Sequence, residues 1–321
     1  MGETAQALGI VNTMKTATRD WSQEELFILA FDHRGTFTSG LLGIKGCAAT
    51  KEEKGAASVY KEMIYEGFKK AIQHGVPRAN TGILVDEEFG SGVLRQAKKE
   101  GYTFAMPVEK SGQDEFDLEY SADFKKHIED YDPTFVKVLV RYNPEGDKET
   151  NSRQLKRLKT LNDYLKSTNR PFLFELLVPA TKTQLDALPD KKQYDTRVRP
   201  KLMVAAMAQI QDAGVDPTIW KLEGVDSPED SSRLVAQARR GGRKASVVTL
   251  GRGESKEMVQ KWVEVGAMTK GVSGFAVGRT IWWDPLNGLK AKKTNREQAI
   301  QSIAENYQGL VKVFNSKRKS R

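Results

Sequence analysis

The sequence predicts a single (β/α)8 barrel, and three observations carry that expectation. Eight short apolar, β-branched runs alternate with longer amphipathic stretches. The runs are too continuously apolar for a sheet with one wet face, which argues for parallel strands buried on both sides. No G-x-G-x-x-G follows the first run, as a doubly wound dinucleotide fold would require, and no low-complexity linker splits the chain. Eight βα units match the number of strands in a closed barrel of this class.

In order, the strand runs are LFILAFD (26–32), TGILVD (81–86), TFAMPVEK (103–110), FVKVLVRY (135–142), PFLFELLVP (171–179), TIWKLEG (218–224), KASVVTLG (244–251) and VSGFAVGR (272–279). Stretches such as SVYKEMIYEGFKKAIQHG, RQLKRLKTLNDYLKS, RPKLMVAAMAQIQDAG and SKEMVQKWVEVGA supply the helices. Gly75, Gly214 and Gly266 read as helix ends, where a left-handed residue is favoured. Residues 1–22 read as a polar extension, 23–316 as the barrel and 317–321 as a basic tail. Residues 38–54 read as a long first βα loop.

Composition narrows the function classes. With 39% apolar and 29% charged residues the chain is a soluble globular type. No run of about 18 apolar residues is present to span a membrane, and the N-terminus lacks a secretory pattern. A single cysteine, Cys47, excludes an internal disulfide and fits a cytoplasmic location. The net charge of +9 is concentrated at the end, where VKVFNSKRKSR holds five positive charges. No aromatic-interleaved basic patch supports nucleic-acid binding, so the end reads as a solvated charge run. The remaining positive bias suits an anionic substrate. A homo-oligomer is compatible with the sequence, and no cofactor is expected.

In such barrels function gathers at the C-terminal ends of the strands. Period-2 alternation places Lys137 and Arg141 on one face of the fourth strand and Glu175 on one face of the fifth. With bulkier residues turned to the helices, Lys137, Glu175 and Lys221 point inward on three consecutive strands. A lysine near a second ammonium and in apolar surroundings is expected to lose proton affinity and become a nucleophile for a carbonyl. Glu175 would shuttle protons as a carbinolamine dehydrates. A buried ion pair stabilising the barrel is the competing reading of the same residues.

The ends LGRG and AVGR read as a phosphate site, with Gly251 and Gly278 admitting the anion to backbone N–H groups and Arg252 and Arg279 gripping it. Asp86-Glu87-Glu88 could offer oxygen ligands to a divalent metal. His33 sits beside Asp32 as a candidate substrate contact, together with Arg141 and Asp86. His74 and His127 read as structural, and Trp282 and Trp283 as anchors after the last strand.

The segments ILAFDHRGTF, GILVDEEFG, PVEKSGQDEFDLEY, FVKVLVRYNPEGD, FELLVPA, WKLEGV, LGRG and GFAVGRTIWW resemble an aldolase-like barrel family. It includes the aldolase domain fused to some bacterial 5-dehydro-2-deoxygluconokinases. More distantly, the chain is similar to tagatose-1,6-bisphosphate aldolase and the class I fructose-bisphosphate aldolases. The resemblance spans residues 25–315. It implies that Lys221 is the Schiff-base lysine and Glu175 the general acid/base. Asp32, Lys110 and Lys137 match the carboxylate and lysines that orient hydroxyls and tune the amine. Gly251, Arg252, Gly278 and Arg279 match the phosphate-binding ends. The 321 residues contain no counterpart of the kinase domain, so a place in inositol breakdown is inferred from the aldolase motifs alone.

The resulting expectation is a metal-independent class I aldolase acting on a phosphorylated sugar or keto-acid. The best single substrate is 5-dehydro-2-deoxygluconate 6-phosphate, cleaved to dihydroxyacetone phosphate and malonate semialdehyde. Another ketose-phosphate or sulfosugar-phosphate aldolase would share the machinery. The contrasting expectations are a non-catalytic phosphosugar-binding barrel and a metal-dependent lyase using Asp86 and Glu88.

Overall fold

A computed structural model describes residues 19–35, 37–44 and 50–320. Residues 1–18 of the expected extension and Cys47 lie outside the described residues. The apolar runs form eight strands: β1 Leu26–Ala30, β2 Thr81–Leu84, β3 Thr103–Pro107, β4 Phe135–Arg141, β5 Phe172–Leu177, β6 Ile219–Glu223, β7 Ser246–Leu250 and β8 Val272–Val277. Each pairs in parallel with its sequence neighbours, and β8 closes onto β1. The fold is the expected single (β/α)8 barrel.

The helices are α1 Lys51–Gln73, α2 Glu87–Glu100, α3 Phe124–Tyr131, α4 Lys148–Ser167, α5 Lys182–Asp186, α6 Lys191–Gln193, α7 Arg199–Asp212, α8 Pro228–Ala238, α9 Lys256–Met268, α10 Arg279–Lys290 and α11 Arg296–Lys319. None among the described residues is long and apolar enough to cross a membrane.

Side-chain parity sorts the interior into two shells. Phe27, Leu29, Phe31, Val136, Val138, Val140, Phe174 and Trp220 face the helices and form the larger core. Leu26, Ile28, Ala30, Phe135, Leu173, Ile219, Val248 and Ala276 fill the barrel itself. Trp21 closes its N-terminal end, with its ring 4.7 Å from that of Phe135. The same parity, carried toward the C-terminal ends, turns Lys137, Glu175 and Lys221 inward above this apolar plug. The site therefore has a dry floor.

Three local expectations change. The first βα loop is shorter than residues 38–54, because α1 begins at Lys51. Thr50 caps it by accepting the Glu53 N–H, and the Glu53 carboxylate accepts the Thr50 N–H in return. TKEE is a capping box, a signal present in the sequence. Gly266 does not end a helix; α9 runs on to Met268. A Cβ at Gly266 would stand 2.7 Å from Thr249 Oγ1, so this glycine lets α9 approach β7. The residues set apart as a tail continue α11 to Lys319, with Lys317 3.3 Å from Glu264 and Arg318 3.2 Å from Glu25.

At the β8–β1 seam two glycines keep clear of backbone, Gly278 against the Ala30 carbonyl and Gly274 within the strand itself. A Cβ at Gly274 of β8 would overlap the backbone carbonyl of Leu26 on β1. Gly274→Val is expected to cost about 3 kcal/mol or more, measured by urea unfolding, because backbone cannot move aside as a side chain can. Gly92, exposed in α2 with open space at its Cβ position, gives the contrast. Gly92→Ala should stabilise by up to about 1 kcal/mol through helix propensity alone. Equal effects at both positions would contradict this account of closure.

Candidate active site

Charged residues converge where β1, β3, β4, β5 and β6 end. Lys137 of β4 is 1% exposed, and its ammonium meets Asp32 (2.7 Å), Glu109 (2.8 Å) and Glu175 (3.1 Å). Lys221 of β6 is 4% exposed, and Nζ lies 2.9 Å from Glu175 Oε2. Glu175 and Lys221 are register partners on adjacent strands. A single carboxylate oxygen therefore stands between two lysines.

The two lysines differ in their surroundings. Burial disfavours charge on Lys137, but Asp32, Glu109 and Glu175 together overcome it and hold its pKa well above the usual lysine range. Burial likewise opposes ionised Asp32; Lys137, Lys221 and His33 overcome it and hold its carboxyl far below the ordinary value. Glu175 is lowered in the same way by Lys221 and Lys137 against burial. Lys137 is thus a fixed ammonium and Asp32 a fixed carboxylate. Lys221 has one carboxylate partner among the described residues.

These residues line a cavity of about 280 Å³. Lys110 and Arg141 line it, together with the turn Gly251–Gly253, Gly278 and Arg279, and His33 stands against Gly278, where a Cβ would lie 3.0 Å from its Cε1. His33 packs edge-on against Trp282, 5.4 Å away, and its buried Nδ1 has no hydrogen-bond partner. Burial, reinforced by Lys221 and Arg279, brings its pKa down to about 4 despite Asp32. It is a neutral imidazole at neutral pH. Trp282 also donates to the Ala30 carbonyl (3.0 Å), which fixes the β1 end.

Other expected residues lie farther out or face elsewhere. Lys110 reaches the cavity but pairs with Asp117 (2.7 Å), and Arg141 donates to the Gln113 carbonyl (2.8 Å). Arg279 donates to the Arg252 carbonyl (3.0 Å), and no carboxylate among the described residues pairs with it. Arg252 also lines the cavity, and its guanidinium pairs with Asp195 (2.7 Å). A phosphate grip by its side chain would compete with the carboxylates of Asp195, Glu223 and Glu254, all within 4.0 Å of the guanidinium.

Asp86 is fully buried and does not line the cavity. Its carboxylate caps α2 by accepting the Phe89 N–H (2.8 Å) and pairs with the buried Lys61. Lys61 also donates to the carbonyls of Phe31 (2.7 Å) and His33 (3.1 Å), on either side of Asp32. Substrate contact by Asp86 is replaced by support of the β1 end. Glu87 binds His127 (2.9 Å) and Glu88 faces Lys54 (3.6 Å), so the acidic trio diverges. No group of ligating side chains with metal-binding geometry forms among the described residues.

Sequence reading passed over Glu109. It shares the inward parity of Ala105 on β3, and that signal could have found it. Burial raises its pKa against Lys137 and Arg34, and its Oε2 has no partner.

The sequence matches, over residues 6–318, the family described as "Uncharacterized protein conserved in bacteria (DUF2090)". No curated protein matches it. Among solved structures, fructose-bisphosphate aldolase from Plasmodium falciparum is similar at a TM-score of 0.61 and 14% identity, with 93% of this chain and 92% of that one covered. An archaeal fructose-1,6-bisphosphate aldolase, with its catalytic lysine covalently bound to the carbinolamine intermediate, is similar at 0.56 and 13%, covering 90% and 93%. Cgl0159 from Corynebacterium glutamicum is similar at 0.55 and 16%, covering 90% and 91%. These likenesses show a shared barrel.

The charge cluster makes a prediction about stability and pH. In the wild type, depressed Asp32 and Glu175 contribute stability above their unfolded pKa values of about 4 and lose it as pH falls through the folded ones. Raised Lys137 contributes fully below its unfolded value of about 10.4 and is lost only in stronger base. Lys137→Met leaves three buried carboxylates without their common cation, a loss of about 3–5 kcal/mol at pH 7. Their pKa values then rise, so the mutant should regain ground on acidification. Urea unfolding should show the gap to wild type narrowing between pH 7 and 5. A constant gap would contradict the cluster's assignment.

Proposed function

We propose that this chain, which belongs to the DUF2090 family, is a class I aldolase in which Lys221 forms the Schiff base. The observation that carries the reading is the unequal treatment of the two lysines. Both lysines line the cavity, but Lys137 is surrounded by three carboxylates and stays an ammonium, whereas Lys221 has one carboxylate partner among the described residues. The solved aldolase whose catalytic lysine carries a carbinolamine shares this barrel and supports the assignment.

In the proposed reaction Glu175 takes a proton from Lys221, and the free amine attacks the substrate ketone. Glu175 then returns the proton to the carbinolamine hydroxyl, and water leaves as the imine forms. Asp32, already ionised, accepts the proton of the hydroxyl beside the bond to be cleaved. The carbon–carbon electrons move into the iminium, giving an enamine on Lys221 and releasing an aldehyde. Protonation and hydrolysis of the resulting imine free the second product. Lys137 stays charged throughout and stabilises the alkoxide that develops next to Asp32.

The substrate carries an anion at the β7 and β8 ends. Gly278 precedes α10, whose first N–H groups have no side-chain cap, and Arg279 has no carboxylate partner there among the described residues. A phosphorylated sugar or keto-acid fits this cavity, which Lys110 and Arg141 also line. The family resemblance favours 5-dehydro-2-deoxygluconate 6-phosphate, cleaved to dihydroxyacetone phosphate and malonate semialdehyde. A ketose-phosphate or sulfosugar-phosphate would use the same residues, and the reaction requires no metal.

Cleavage of a panel of these phosphorylated substrates tests the proposal. Lys221→Met should lower turnover on the order of 10⁴-fold or more while unfolding remains cooperative. Arg279→Ala should raise KM about 10- to 100-fold, the worth of a charge-assisted hydrogen bond, and change kcat little. Treatment with a chelator should leave the rate unchanged. Unaltered turnover in Lys221→Met would reject the Schiff-base role, and inhibition by chelation reversed by a divalent ion would favour a metal-dependent lyase.

A further inference from the structure

The end of β7 holds an arrangement that the proposed reaction does not use. The guanidinium of Arg252 is held by Asp195 through two contacts (2.7 and 3.3 Å) and lies 3.5 Å from Glu223. Asp195 sits on the π-helical turn Tyr194–Val198 that runs into α7. Arg199, the first residue of α7, reaches Asp195 (3.1 Å), Glu223 (3.8 Å) and the Gly224 carbonyl (3.2 Å). Glu223 in turn accepts the Val178 N–H at the end of β5 (2.9 Å). Two arginines and two carboxylates thus join the ends of β5, β6 and β7 to the start of α7. Glu254 adds a further carboxylate 4.0 Å from Arg252, so no cation of the group is left over for a ligand.

The backbone at Arg252 explains what the network is for. Its φ is +52°, a region that a bulky L-residue enters only when its surroundings hold it there. This conformation presents the Arg252 carbonyl to Nη2 of Arg279 (3.0 Å). Gly253 follows with φ +79°, and a Cβ there would overlap the Arg279 guanidinium. The side chain proposed to meet the anion therefore rests on a left-handed turn, with Asp195 and Glu223 fastening that turn from outside the cavity.

We infer that Asp195 and Arg252 are positioning residues for anion binding: their pairing fixes the turn whose carbonyl aims Arg279, and neither touches the anion. The inference rests on the proposed role of Arg279 and adds how that side chain is aimed. It also separates the two arginines that LGRG and AVGR present as equivalents. Arg279 is the ligand and Arg252 is the brace.

Titration calorimetry with inorganic phosphate on the full chain tests this without reference to turnover. Wild type should bind phosphate, and Arg279→Ala should weaken binding about 10- to 100-fold. Asp195→Asn should weaken it about five- to tenfold, and this loss should vanish in the Arg279→Ala background, since the two act through one element. Arg252→Lys, which keeps the charge but loses the two-point pairing, should behave like Asp195→Asn and serves if that variant does not fold. Tighter binding by Asp195→Asn would mean that freed Arg252 is itself a ligand and would overturn the inference. Unchanged binding by Asp195→Asn, or an equal loss in both backgrounds, would also overturn it while leaving Arg279 in place. Equal phosphate affinity in wild type and Arg279→Ala would instead reject the anion site itself.

Discussion

The ammonium of Lys137 is the interaction on which the rest of the site depends. Three carboxylates from β3, β5 and the β1 end approach within 3.1 Å of it, deep above an apolar floor. Without this cation, Asp32 and Glu175 could not both be held ionised beside Glu109, since burying like charges side by side is strongly unfavourable. With it, Glu175 is fixed with one oxygen toward Lys221, and Asp32 is fixed as a carboxylate at the cavity edge. The proposed chemistry divides along the same line: one lysine stays charged and orders the acids, and the other is left with a single partner.

Around that hub, the less conspicuous ion pairs act on backbone. Lys61 bonds the carbonyls on both sides of Asp32 while neutralising the carboxylate that caps α2. Asp195 and Glu223 hold the left-handed Arg252, whose carbonyl meets Arg279. Replacing buried ion pairs by apolar residues is often neutral for stability. Pairs that set the path of strand ends are better understood through the geometry they impose than through the stability they add.

The barrel was legible because its signal is collective. Eight apolar runs, each bounded by helical pattern, leave few ways to bury every strand on both faces. Lys137, Glu175 and Lys221 were legible for the same reason, since period-2 alternation sends them to the side opposite Val136, Phe174 and Trp220. The pairing of Arg252 was not legible because its partner Asp195 lies 57 residues away on a π-helical turn that no periodicity marks. Asp86 was misread because its pairing with Lys61 depends on where α1 packs, whereas its capping of α2 through Phe89 is a local contact that the sequence carries. Glu109 was within reach of the parity argument, since the run 103–110 already contained it two positions beyond Pro107, the last paired residue of the strand. The start of α1 was written in Thr50 and Glu53, a capping box inside what otherwise reads as loop.

The central claim is that two neighbouring inward lysines differ in kind, Lys221 forming an imine and Lys137 never doing so. Borohydride reduction in the presence of dihydroxyacetone phosphate, followed by peptide mapping, measures this directly. The account predicts the reduced adduct on Lys221 and an unmodified Lys137. An adduct on Lys137, or none on either lysine, would contradict it.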